Sequence, residues 1–125
     1  MSVSRIFDGL YLGNQHVAKN ISWLRSNNIV YIVNIGSKEF FPADFKYLHI
    51  GLRDRDGSCD VHEFRQVVFR VAEVIDAAME RGEAVLVHCQ AGMSRSPAVV
   101  VGWMVLSRAY TFNTAVEHVR QAEII

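Results

Sequence analysis

Seven consecutive residues of this 125-residue chain could do chemistry together: Cys89-Gln90-Ala91-Gly92-Met93-Ser94-Arg95, preceded by His88 and followed by Ser96-Pro97. A cysteine behind an apolar strand is, by itself, most simply a small buried hydrophobe. Its neighbours change that reading. A loop whose backbone N–H groups converge, running into a helix N-terminus, makes a concave and partly positive cradle for a tetrahedral oxyanion. Gly92 lets the loop curl, so Gln90, Ala91, Gly92, Met93 and Ser94 can offer their backbone donors to one phosphate. Arg95 adds a planar, two-pronged donor that a lysine cannot supply. The same dipoles and guanidinium favour thiolate over thiol at Cys89, so one loop would bind the anion and activate a nucleophile.

Such a loop needs a strand to deliver Cys89 and a helix to receive Arg95. Ala84-Val-Leu-Val-His88 is the apolar strand, and Ser96-Pro97 reads as N-cap and first helical residue of the next helix. The longest helical signal covers Val61 to Arg81, where Phe64, Val67, Val68, Val71, Val74, Ile75, Ala78 and Met79 recur at three- and four-residue steps. Asp60 stands as its N-cap, Glu63 completes a capping box and Gly82 suits its C-terminal end. Upstream, Arg5-Ile-Phe and Leu10-Tyr-Leu flank Asp8-Gly9 as a hairpin. A short helix is expected from Asn20 to about Asn27, then β-branched Ile29–Ile35 as a doubly covered strand, then Lys46–Ile50 as another. A last helix starts near Thr111 to Asn113. Strands alternating with helices predict an α/β domain with a mainly parallel central sheet and helices on both faces. The chemistry then belongs at a strand's carboxyl end.

Composition narrows the function. Half the residues are hydrophobic, enough for a core, and thirteen Lys plus Arg balance thirteen Asp plus Glu. No overall field favours nucleic acid or an anionic membrane, so neither is expected as a partner and any anion site must be local. Two cysteines, Cys59 and Cys89, make no disulfide framework, and the apolar run from Pro97 to Leu106 is far shorter than a bilayer span. A cytoplasmic or nuclear protein is expected. His16, His49, His62, His88 and His118 show no metal-ligand spacing. Residues 1–125 read as a single domain without linkers or repeats.

The segment His88-Cys89-x5-Arg95-Ser96 resembles the signature of the cysteine-dependent phosphatases, and more narrowly of the dual-specificity protein phosphatases. The resemblance extends upstream through Ile6-Phe-Asp-Gly-Leu-Tyr-Leu-Gly13, the strand ending Val-Asn-Ile35, and Tyr47-Leu-His-Ile-Gly-Leu-Arg-Asp54. It implies a cysteine-phosphatase-like fold and a protein phosphatase with a cysteinyl-phosphate intermediate. Cys89 would attack phosphorus while the loop donors and Arg95 hold the equatorial oxygens. The family places the acid aspartate after a Tyr-x-x-Ile-x-x-x-Asp strand, which is Asp54 here; Asp56, two residues on, competes for the role. Ser96 would hydrogen-bond the departing sulfur, and His88 would shape the loop. No metal or other cofactor is implied.

Uncharged Gln90, Ala91 and Met93, and the lack of a long phosphotyrosine recognition loop, point within that resemblance to phosphotyrosine and phosphoserine/phosphothreonine in a phosphorylated protein or peptide. The alternatives are a catalytically inactive phosphate-reading module, a phosphatase for a non-protein ester, and a sulfurtransferase or arsenate-reducing enzyme. Arg53 and Arg55 could draw a phosphopeptide, and Cys59 could trap oxidised Cys89. Family members continue past the last helix with an arginine-led segment and a Pro-Asn turn. This chain stops at Gln121-Ala-Glu-Ile-Ile125, which reads as a truncated edge, and a longer version is expected to melt higher.

Overall fold

The computed structural model describes residues 3–51, 61–90 and 95–125. The expected hairpin is present as β1 (Val3–Phe7) and β2 (Leu10–Asn14), paired antiparallel, with Gly9 at φ +87° making the turn. A helical turn not anticipated from the sequence, α1 (Gln15–Ala18), follows directly; the Asn14 side chain accepts from the His16 and Val17 N–H groups. Then come α2 (Ile21–Ser26), capped by Asn20, and strands β3 (Ile29–Ile35) and β4 (Lys46–Ile50). The long helix α3 spans Val61–Glu80 and ends with Gly82 at φ +72°. The expected cap at Asp60 lies outside the described residues. Strand β5 (Ala84–Cys89) leads to α4 (Arg95–Arg108), and α5 (Phe112–Arg120) is capped by Thr111.

Two boundaries differ from the sequence reading. Helix α4 begins at Arg95, so Ser96 lies inside its first turn instead of capping it. The last residues also pair where no strand was expected. Glu123–Ile124 forms β6, antiparallel to β1, with Arg5 paired to Glu123. Alternation rules did not anticipate it, because two residues carry no period.

The strand order is β4-β3-β5-β2-β1-β6. Strands β4, β3, β5 and β2 run parallel, while β1 and β6 complete one edge by antiparallel pairing. β3 continues outward to β4, whereas the chain after β5 returns to the opposite edge at β6, so the connections part between β3 and β5. This divergence opens a crevice at the carboxyl ends of those two strands. Helices cover both faces, as expected. Val33, Ile35, Val85, Val87 and Cys89 pack with α3, α4 and α5, while Ile32, Ala84 and Leu86 pack with α1 and α2. All six residues of β5 are buried. A continuous apolar run is what a doubly covered strand requires, and each fully buried Val or Leu contributes roughly 1.5–3 kcal/mol.

Candidate active site

The central strand delivers Cys89 to the crevice, in register with Ile35 of β3 and Asn14 of β2. The sulfur is almost fully enclosed, with the residue 5% exposed. Its neighbour in space comes from the next element: the Ser96 hydroxyl donates to Cys89 Sγ at 3.1 Å, and Ser96 is itself buried. This contact depends on where α4 begins. With Arg95 as the first helical residue, Ser96 turns inward toward the strand end.

Arg95 stands at the helix N-terminus, where backbone N–H groups lack intrahelical acceptors and favour an anion. Its guanidinium lies against the end of β3. A Cβ added to Gly36, which has φ +75°, would stand 3.1 Å from Arg95 Nη1. Glycine therefore serves twice at this position, allowing the left-handed turn and leaving room for the arginine. The turn is held by Gly36 N–H donating to the Ile50 carbonyl at 2.8 Å and by Ser37 N–H donating to Asn34 Oδ1 at 2.9 Å.

Behind the loop, His88 and Asn34 lie side by side in the β3–β5 register, both fully buried. Among the described residues, neither His88 ring nitrogen nor Asn34 Nδ2 has a hydrogen-bond partner. Burial lowers the His88 pKa to about 4, a weaker interaction with the Cys89 backbone acting in the other direction. His88 is therefore a neutral ring near pH 7, suited to shaping the loop and not to carrying charge.

The structure thus brings Cys89, Arg95, Ser96 and His88 to one strand end, and Gln90 follows Cys89 as an exposed residue. Ala91, Gly92, Met93 and Ser94 lie outside the described residues, as do Asp54, Asp56, Arg53, Arg55 and Cys59. Sequence reasoning missed Asn34 and Gly36. A polar residue closing an otherwise apolar strand, with glycine two positions later, was the available signal.

Comparison with known proteins agrees with this geometry. Residues 10–124 match the family model described as dual specificity phosphatase, catalytic domain. A Slingshot homolog protein phosphatase of Xenopus laevis is 32% identical over 124 residues, covering 98% of this chain and 17% of the relative. Dual specificity protein phosphatase 1 of Arabidopsis thaliana is 34% identical over 119 residues, covering 94% of this chain and 58% of the relative. The chain spans only 11% to 18% of the Slingshot and leucine-rich-repeat MAP kinase phosphatase relatives. Among solved structures, a human tyrosine phosphatase-like serine/threonine/tyrosine-interacting protein matches at 25% identity and TM-score 0.85, over 96% of this chain and 83% of that one. DUSP15 matches at 27% identity and TM-score 0.79, over 94% of this chain and 74% of that one.

Proposed function

Because the chain belongs to the dual specificity phosphatase catalytic-domain family, we propose that it is a protein phosphatase acting on phosphotyrosine and phosphoserine/phosphothreonine through a cysteinyl-phosphate intermediate. The observation that carries this reading is the Ser96 hydroxyl on the buried Cys89 sulfur, one residue past the arginine that opens α4. In the first step the Cys89 thiolate attacks phosphorus. The S–P bond forms as the ester P–O bond breaks, while Arg95 and the helix N-terminus hold the equatorial oxygens. Asp54, or Asp56 as the alternative, gives its proton to the leaving oxygen. In the second step the same carboxylate takes a proton from water, whose oxygen attacks phosphorus and expels the thiolate. The Ser96 hydroxyl offers that leaving sulfur a hydrogen bond, an interaction worth most when the sulfur is charged.

The likeness to a protein described as phosphatase-like and interacting favours one other reading, a phosphate-binding module without turnover. Intact Cys89, Arg95 and Ser96 support catalysis over it. Stopped-flow hydrolysis of para-nitrophenyl phosphate, followed by phosphothreonine and phosphotyrosine peptides, decides between them. Cys89→Ser should abolish turnover. Ser96→Ala should give a product burst followed by turnover slowed about tenfold to a hundredfold, the worth of one hydrogen bond to a charged group. Asp54→Ala should cost more on the phosphothreonine peptide, with its alkoxide leaving group, than on the aryl ester, and the same loss in Asp56→Ala would move the role there. A wild type inert on all three substrates that still binds the phosphopeptides would establish the binding module.

A further inference from the structure

On the segments that follow β2 and β3 at their carboxyl ends, two lysines from different elements share one aromatic ring. Lys19 closes α1, which leaves β2 at Asn14, the register partner of Cys89. Lys38 lies two residues past Gly36, the residue that backs Arg95. Their ammonium groups stand 5.2 Å and 5.6 Å from the centroid of the Phe40 ring. Both distances fall within cation–π range, so one ring supports both charges. Both lysines are exposed, and neither forms an ion pair among the described residues. Of the acids in the same loop, Asp44 pairs with Arg25 at 3.2 Å, and Glu39 forms no ion pair among the described residues. Two cations with no ion-pair partner among the described residues, on segments that leave the sheet at the Cys89 end, can attract a second anion on the same ligand.

We propose that Lys19 and Lys38, held on Phe40, form a second anion subsite that receives a carboxylate side chain two or three residues from the phosphorylated residue of a peptide substrate. Lys38 follows Gly36, which stands against Arg95, by two residues, at most about 7 Å of chain, and the proposed offset along an extended peptide is of the same order. The inference rests on the phosphatase reading and adds a preference to it: acidic flanks over neutral ones, expressed in KM, because a remote contact made equally in ground and transition states leaves kcat unchanged.

The test compares one phosphotyrosine peptide carrying Glu, Ala or Lys at the positions two and three residues from the phosphotyrosine, with para-nitrophenyl phosphate as a substrate too small to reach the lysines. Two solvated ion pairs predict a kcat/KM about threefold to tenfold higher for the Glu peptide than for the Ala peptide, shrinking with added salt. Lys19→Ala with Lys38→Ala should erase that preference and leave para-nitrophenyl phosphate hydrolysis unchanged. Arginine at both positions should restore it. Phe40→Ala, which keeps both charges but removes their common support, should retain only part of it. An equal rate on the Glu and Ala peptides, or a preference surviving in the double alanine variant, overturns the proposal. The same peptides are measured for binding to Cys89→Ser by fluorescence polarisation. A wild type inert on every substrate would then refute the phosphatase reading alone, while the Glu-to-Ala affinity ratio still decides the lysines.

Discussion

At the scale of single residues, His88 joins stability to pH. Its folded pKa of about 4 lies below the ordinary histidine value of 6.5 because the buried ring resists charging. The unfolded chain therefore takes up this proton first as pH falls. The contribution is fully present above pH 6.5 and is lost between pH 6.5 and 4, at up to about 1.4 kcal/mol per pH unit. Urea unfolding at pH 7.5, 5.5 and 4.5 should show that decline in the wild type and a flatter profile in His88→Asn, which has no ring to protonate. Parallel profiles would show that His88 does not govern acid sensitivity. The Cys89, Arg95 and Ser96 cluster was legible in the sequence because eight adjacent residues carry it. Asn34 and Gly36 were not, because what they do depends on His88 of β5 and Arg95 of α4, more than fifty residues away.

At the scale of elements, Arg95 and Ser96 are held by the seating of α4 on α3. Gly102 permits the close approach, since a Cβ there would stand 2.7 Å from Val68 Cγ2. Asp76 of α3 then pins the far end of α4: its two carboxylate oxygens accept from Trp103 Nε1 and from the Ser107 hydroxyl, both at 2.9 Å. Trp103 is fully buried, so Asp76→Ala leaves an indole N–H without its acceptor. The expected cost is about 1–3 kcal/mol, read as a lower urea midpoint at unchanged slope. Arg95 and Ser96 sit at the opposite end of the helix, so kcat on para-nitrophenyl phosphate should change little. The period of α3 was plain in the sequence, and its observed span differs from the expected one by a single residue. Helix α4 was harder to delimit. Its apolar residues run all round, so no polar face marked its orientation, and Ser-Pro suggested a first helical residue, Pro97, two positions after the observed one.

At the scale of the whole molecule, that all-round apolar character has a visible result. The inner face of α4, with Val99, Val100, Trp103 and Met104, is buried in the core. Its outer stripe, with Val101 and Val105, lines an apolar groove of about 910 Å³ between α3 and α5 that also takes in Phe69 and Phe112. Val105 and Leu106 are 41% and 45% exposed, so part of this stripe meets solvent. Replacing both, as Val105→Thr and Leu106→Gln, should reduce the fluorescence of a bound hydrophobic dye. The melting temperature should stay within about 4 °C, because half-exposed side chains contribute little to the folded state. A larger drop would mean that the stripe belongs to the core.

The amino-acid sequence by itself determined what is local. The identity and spacing of the nucleophile loop, the 3.6-residue period of α3, the caps at Asn20 and Thr111 and the Asp8-Gly9 turn all act within a few residues and need no partner. Tertiary structure decided what is distant: that β5 lies between β3 and β2, that Gly36 makes room for Arg95, that Lys19 and Lys38 meet on Phe40, and that Glu123 and Ile124 add a strand to β1. Each joins segments far apart in the chain. Such a contact follows from strand order and crossover direction, which no local propensity encodes.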